Sequence, residues 1–286
     1  MAQCNICYRK CTIEDGGTGF CKVRSAKNGV VYPLNYGRIT SIALDPIEKK
    51  PLSRFMPGAK ILSVGSYGCN LRCPFCQNYE ISWSEEAYSY GTEAQVISPE
   101  ELAELSFRYK DQGNIGLAFT YNEPLVGYEF VRDTARLVHE KGMKNVLVSN
   151  GMASREVLEE IVPYIDAMNI DLKGFTDNYY EHLLKGNRQM VMDFISEAVR
   201  HCHVELTTLI IPRENDSEAE MRELSEWISS LEDDTGNNVG KDVVLHISRF
   251  FPRFHMTDRA ATDVACIYRL ADVARENLNY VYTGNC

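Results

Sequence analysis

The sequence predicts an α/β fold: a partial (β/α)6 barrel of parallel strands, with a small cysteine-rich metal-binding module at its amino end. Three observations predict it. Apolar, β-branched runs alternate with amphipathic helical patterns from residue 61 onward. The chemically distinctive segments GCNLRCPFC, YNEP, NG, DLKG and RFFPRFH each follow one of those runs. Seven of the ten cysteines lie within the first 76 residues, in two tight groups.

Residues 1–35 are poor in apolar periodicity and rich in Cys and Gly, the makeup of a loop-rich module that a bound metal holds together. Residues 36–60 carry prolines and few apolar runs, and read as an extended connector. Residues 61–286 form the barrel domain. Its candidate strands are 61–66, 115–120, 143–149, 167–171, 204–211 and 243–248. Their Val, Ile and Leu content suits parallel strands covered on both faces. Ser98-Pro99-Glu100-Glu101 joins a cap residue, a first-turn proline and two acids, which is a helix start. Helical patterns cover 124–141, 154–162, 216–231 and 260–277, and 280–283 reads as one more short strand. Tyr88 and Tyr90 fall in what reads as a loop after Glu85-Glu86. An open doubly wound sheet and a barrel both accommodate this order. An open sheet concentrates its site at one switch point. Reactive groups at several separate strand ends favour TIM-like closure, because a barrel gathers its site at the carboxyl ends of its strands.

The 286 residues are 44% hydrophobic and 24% charged, the balance of a globular protein. The formal net charge of -10 argues against a broad nucleic-acid surface, which needs Lys and Arg to displace counterions from phosphate. No apolar run approaches the roughly 20 residues of a membrane helix. The first residues show no basic segment followed by an apolar stretch. The expectation is a cytoplasmic protein with no membrane partner. In a reducing compartment, clustered thiols point to metal or iron–sulfur ligation rather than to disulfides. The isolated Cys202 and Cys266 read as small buried hydrophobes.

GCNLRCPFCQN sets Cys69, Cys73 and Cys76 at C-x3-C-x2-C spacing, directly after the first barrel strand. So short a loop can wrap one cubane and offer it three thiolates. A [4Fe–4S] cluster needs four ligands. With no fourth cysteine nearby, one iron stays open to an exogenous amine and carboxylate. A three-cysteine zinc site is the alternative, although zinc motifs usually pair two C-x2-C knuckles.

These residues resemble the radical S-adenosylmethionine (SAM) superfamily, whose cluster loop carries this spacing with an aromatic residue, here Phe75, before the third cysteine. The resemblance implies that SAM chelates the open iron and that one electron from the reduced cluster breaks its sulfonium C–S bond. A 5′-deoxyadenosyl radical then abstracts a substrate hydrogen, the work of an oxidoreductase-type enzyme. It also implies SAM contacts for Asn78, in the loop, and for Glu123 of YNEP, whose carboxylate faces the methionyl ammonium. A helix-start glutamate beside Pro124 is the alternative for Glu123. Ser149 and Asn150 of VSNG stand where related activating enzymes meet SAM, although Asn-Gly is also common turn chemistry. Asp171 and Lys173 share one face of an extended segment, and the similar DLK of pyruvate formate-lyase activating enzymes lies beside SAM.

Taken together, DPIEKKPLSRFMPG, GCNLRCPFCQN, TYNEP, NIDLKGF and YVYTGN resemble the radical SAM enzyme of the AmmeMemoRadiSam system over nearly the whole chain. That family is a relative of glycyl-radical activating enzymes. It often carries a histidine after the sixth strand, where Phe251 stands here. His246 and His255 flank the position, and His246 is the candidate cofactor contact. The resemblance further implies an external electron donor of flavodoxin or ferredoxin type, and a small-molecule or protein substrate. Activation of a glycyl-radical partner and a plain iron–sulfur electron carrier are the competing readings.

Cys4, Cys7, Cys11 and Cys21, spaced C-x2-C-x3-C-x9-C, can close a tetrahedral site. Zinc, as Zn2+, is the first choice there and an auxiliary iron–sulfur cluster the second. The spacing departs from the ferredoxin-like insert of many glycyl-radical activases.

Overall fold

The computed structural model describes residues 1–286, the side chain of Tyr90 excepted. Two antiparallel ribbons form the amino end: β1 (Ala2–Gln3) with β2 (Thr12–Ile13), and β3 (Arg24–Lys27) with β4 (Val30–Pro33). β5 (Arg38–Ile39) pairs with β8 (Gln95–Val96). The central sheet comprises β6 (Ser41–Pro46), β7 (Lys60–Gly65), β9 (Asn114–Phe119), β10 (Lys144–Ser149), β11 (Ala167–Asp171), β12 (His203–Ile210), β13 (Val244–Arg249) and β14 (Val281–Gly284). Its order is β14-β13-β12-β11-β10-β9-β7-β6. From β7 to β14 every neighbouring pair is parallel, and β6 alone runs antiparallel, against β7.

The six anticipated strands therefore stand side by side in sequence order, with β14 as a seventh. The edge strand β6 is a correction. It lies inside the segment expected to be an extended connector. Of its six residues only Asp45 is buried, so no apolar alternation marks it.

The helices are α1 (Tyr79–Ser82), α2 (Glu85–Glu93), α3 (Pro99–Arg108), α4 (Tyr128–Glu140), α5 (Arg155–Ile161), α6 (Arg188–Ala198), α7 (Glu218–Ser229) and α8 (Val264–Arg275). α3 opens with a reciprocal cap: Ser98 Oγ accepts from the Glu101 amide, and the Glu101 carboxylate accepts from the Ser98 amide. The segment read as a loop after Glu85-Glu86 is α2, started by Ser84, whose hydroxyl accepts from the Ala87 amide. Of the tyrosine pair there, the Tyr90 side chain lies outside the described residues. No helix among the described residues is long and apolar enough to cross a membrane.

One face of the sheet is covered by helices. Leu62, Leu117, Leu147, Met168, Leu206 and Leu245 are buried there with Leu102, Val131, Leu158, Ile195, Leu224 and Ile267. The other face receives the strap between β6 and β7. Ile47 and Leu52 of that strap join Ile61, Ala118, Val146 and Ala167 in a second, smaller core. Helices on one side and a filled interior on the other are the layering of a partial barrel.

The amino-terminal segment is less dependent on a metal than its composition implies. Ile13, Val23 and Ala26 are buried within the main core. Arg24, itself buried, donates to both Glu129 carboxylate oxygens at 2.8 and 2.7 Å. The Ser154 amide donates to Ile6 O at 2.8 Å.

Candidate functional site

The cysteine loop begins where β7 ends. Gly68 has φ +94, a backbone conformation that favours glycine. A Cβ there would come within 2.5 Å of Val23 Cγ1, so the loop lies directly on the amino-terminal segment. Asn122 braces the turn. Its Oδ1 accepts from the Ser66 amide at 2.9 Å and its Nδ2 donates to Gly68 O at 3.2 Å. Arg72 holds the middle, donating to Cys69 O at 2.9 Å and Leu71 O at 2.7 Å, and across to Phe20 O. Beyond the third cysteine, Asn78 Nδ2 donates to Tyr121 O at 2.7 Å.

The loop buries its middle thiol and leaves Cys69 and Cys76 partly exposed. Cys73 and Phe75 are buried. The Leu71 amide donates to Cys69 Sγ at 3.4 Å. Burial pushes the Cys73 thiol up to about 12, partly offset by the Lys173 ammonium. Burial raises Cys69 further, with the Glu123 carboxylate adding to it. Burial also raises Cys76, opposed by the Asn78 amide and the Ser82 hydroxyl. Ligation by a cationic metal centre is the interaction that favours the thiolates in such a place.

Glu123, Ser149 and Asn150 come from two different strand ends and form one network. Glu123 is buried after β9. Its Oε1 accepts from Ser149 Oγ at 2.7 Å and from the Leu125 amide at 3.0 Å, while Oε2 accepts from the Asn150 amide at 2.8 Å. Burial pushes its carboxyl up to about 7 against those three donors. A buried carboxylate so placed gains from an incoming cation. Asn150 Nδ2 then reaches Asn70 Oδ1 at 2.9 Å and Cys69 Sγ at 3.8 Å, which joins the network to the cysteine loop.

Asp171 and Lys173 form an ion pair at 2.8 Å at the end of β11. Although burial opposes its charge, the Lys173 ammonium is held protonated chiefly by Asp171 and then by Cys73. The pair thus lies beside the cysteine loop, and Lys173 acts on Cys73 and Cys76 alike.

His246 is placed differently from its expected cofactor role. Its Nε2 is 2.6 Å from Glu205 Oε2, and its ring stacks on Tyr282 at 5.6 Å. Glu205 in turn accepts from the Ser53 and Arg54 amides at 2.9 and 2.8 Å. The imidazole is therefore taken up in anchoring the strap inside the barrel, and no hydrogen bond joins it to the cysteine loop among the described residues.

Residues 63–225, more than half of the chain, match the Radical SAM superfamily. The chain belongs to this superfamily. An uncharacterized protein of Methanocaldococcus jannaschii is 37% identical over 286 residues, covering 99% of this chain and 81% of its own length. The pyruvate formate-lyase-activating enzyme of Clostridium pasteurianum is 28% identical over 169 residues, 57% of this chain and 67% of that protein. Among solved structures, Streptococcus suis SuiB bound to precursor peptide SuiA superposes with a TM-score of 0.58 at 14% identity. That match covers 84% of this chain and 51% of the other, and speaks to the fold alone. The protein is an enzyme, and membership in the radical SAM superfamily implies a [4Fe–4S] cluster and SAM.

In this radical SAM enzyme the cysteines of the second group are neighbours. Cys4, Cys7, Cys11 and Cys21 line one small cavity of ≈ 10 Å³. Burial pushes the Cys7 thiol up to about 11, and the neighbouring thiols add to that. Burial raises Cys21 as well, against the Val23 and Arg24 amides. Among the described residues, no three His, Cys, Asp or Glu side chains converge closely enough to hold a metal ion as they stand.

Sequence reasoning missed Asn70, Arg72 and Asn122 as supports of the radical SAM cluster loop. Phe20 is clasped between Arg9 and Arg72, whose guanidinium carbons lie 3.4 and 3.9 Å from its ring centroid. An arginine lodged between two cysteines in so short a loop is the one signal that could have singled out Arg72.

Proposed function

We propose that Cys69, Cys73 and Cys76 hold three irons of the [4Fe–4S] cluster, and that Glu123, backed by Ser149 and Asn150, receives the methionyl ammonium of SAM. One observation supports this reading above the others: the Glu123 network ends on Cys69 through Asn150 Nδ2, so cation acceptor and thiol donors form one connected group. A cluster held there would supply the electron for reductive cleavage of SAM and, through it, hydrogen-atom abstraction from substrate. The chain's own part is to bind, orient and keep dry. Glu123 offers a buried acceptor to a cation. Lys173, paired with Asp171, stabilises the thiolates of Cys73 and Cys76 electrostatically. Phe75 and Leu71 close the loop against water.

The test is anaerobic reconstitution with iron and sulfide, followed by reduction and addition of SAM. Formation of 5′-deoxyadenosine by the parent protein, and its loss in Cys73→Ala, is the expected result. Product at parental levels in that variant would overturn the assignment of the loop.

For Cys4, Cys7, Cys11 and Cys21 the proposal is a structural metal site, with zinc first and an auxiliary cluster second. That all four cysteines line the same small cavity supports it. Metal analysis of the triple variant Cys69→Ala/Cys73→Ala/Cys76→Ala decides between them, since that variant has no cluster-loop thiolate left to retain iron. The division into 1–35, 36–60 and 61–286 is proposed on the same footing, with β6 assigned to the sheet. A second reading is activation of a glycyl-radical partner protein, favoured by the likeness to the pyruvate formate-lyase-activating enzyme of Clostridium pasteurianum. It requires a glycyl doublet in the electron paramagnetic resonance spectrum of a candidate partner.

A further inference from the structure

The central sheet has two free edges, β6 and β14. A pocket of ≈ 1040 Å³ opens where the start of β6 meets the loop that follows β13. Ser41 stands at its β6 side, and Phe254 and His255 reach it from that loop. α1 separates the pocket from the cluster loop: Tyr79 faces the pocket, while Ser82, in the same turn, acts on Cys76. The His255 amide donates to Pro74 O at 2.9 Å, which fastens the far wall to the cysteine loop as well.

The lining has a definite chemistry. Tyr79 and Phe254 stack at 4.3 Å with an interplanar angle of 10°, and Trp83 meets Phe254 edge-on at 5.0 Å. Phe254 holds φ +55, the left-handed region that a bulky residue enters only when its surroundings impose it. Around this aromatic wall stand Glu80, Glu85 and Glu86, all exposed. Glu85 and Glu86 also favour the start of α2, but their carboxylates remain open to solvent. No lysine or arginine lines the pocket among the described residues. The Arg72 guanidinium carbon, outside the lining, lies 5.5 Å from the Trp83 ring centroid, so the aromatic surface left to a ligand is that of Tyr79 and Phe254. With the carboxylates around it, that surface is suited to an ammonium or guanidinium group.

The adjoining edge indicates the form in which that cation arrives. β6 has a sheet partner on one side only, and Ile42 on it is 49% exposed. An unpaired strand edge is a template for an extended polypeptide. We propose that a polypeptide substrate lies along β6 and places a Lys or Arg side chain in the aromatic, acidic pocket, across α1 from Cys76. Only the chemistry that follows binding rests on the radical SAM reading given above.

Calorimetric titration of the full chain without SAM tests it. The probe is a capped heptapeptide of alternating threonine and valine with one central lysine, set against its counterpart with a central glutamate. The lysine peptide binds, and the glutamate peptide binds at least roughly tenfold more weakly, given charge complementarity at the pocket. Phe254→Ala weakens the lysine peptide roughly three- to fivefold, the share of one exposed cation–π contact. The surface variant Glu85→Gln/Glu86→Gln, which leaves the core untouched, weakens it too, and added salt narrows that difference. No binding of the lysine peptide, equal binding of the two peptides, or parental affinity in both variants overturns the proposal. Nα-acetyl-lysine amide binding as tightly as the heptapeptide overturns the polypeptide in favour of a small amine. None of these readouts uses 5′-deoxyadenosine, so this proposal and the cluster assignment fail separately.

Discussion

Ser149 Oγ donates to Glu123 Oε1 at 2.7 Å, although 26 positions separate the two residues and they end different strands. Together with the Asn150 amide on Oε2, this bond fixes both carboxylate oxygens before any ligand arrives. Glu123→Gln keeps the shape and removes the charge. It is expected to weaken SAM binding by about 1.5–3 kcal/mol, the range for a charged hydrogen bond. Ser149→Ala, which removes only a support, costs about 0.5–1.5 kcal/mol. Equilibrium titration of the reconstituted protein with SAM measures both. An unaltered affinity in Glu123→Gln would remove Glu123 from the SAM site.

Gly68 answers for the fit between the cluster loop and the amino-terminal segment. Alanine there meets Val23 Cγ1 at 2.5 Å and adopts φ +94. Gly68→Ala is expected to destabilise the fold by about 1–3 kcal/mol from backbone strain, with more from the clash. The double variant Gly68→Ala/Val23→Ala relieves the clash but not the strain, so it regains only part of the loss. Denaturant unfolding of Gly68→Ala, Val23→Ala and the double variant gives the comparison, with Val23→Ala as the reference for the double variant. Full recovery in the double variant would show that φ at residue 68 carries no cost.

Arg72 makes three carbonyl contacts that no other cation in the loop duplicates: Cys69 O, Leu71 O and Phe20 O. Lysine has one compact charge and cannot span them. Arg72→Lys is expected to cost about 1.5–3 kcal/mol of stability, the range for hydrogen bonds from a charged group. It should also lower the iron retained after reconstitution and desalting. Parental iron content with parental stability would reduce Arg72 to a surface contact.

The strands of the barrel were legible because buried parallel strands are rich in Val, Ile and Leu, as in 115–120 and 243–248. The cysteine loop was legible because its ligands are adjacent in sequence. Other features were not. β6 hides because five of its six residues are at least partly exposed. α6 was overlooked because its buried Val191, Phe194, Ile195 and Ala198 are interleaved with other apolar side chains such as Met190 and Met192. The Glu123 network joins residues that only the parallel pairing of β9 with β10 brings together. His246 is the converse case. A motif neighbourhood pointed to the cofactor, but Glu205, with no local signal of its own, captures the ring.

Glu205 gives the pH dependence. It is fully buried, and burial alone would raise its carboxyl. His203, His246 and the Ser53 and Arg54 amides outweigh burial and bring it down from 4.5 to about 2. A carboxyl depressed on folding contributes stability above its unfolded value and loses it as pH falls toward the folded value. The window here runs from about 4.5 down to about 2. A shift of that size corresponds to roughly 3 kcal/mol at neutral pH. Glu205→Gln is therefore expected to melt well below the parent at pH 7. The gap should narrow steadily as pH is lowered from about 5 to about 3, because the parent loses what the variant never had. Thermal unfolding at a series of pH values reads this directly. A gap that stays constant across the window would mean that Glu205 holds the strap through shape and neutral hydrogen bonds, and that its charge contributes nothing.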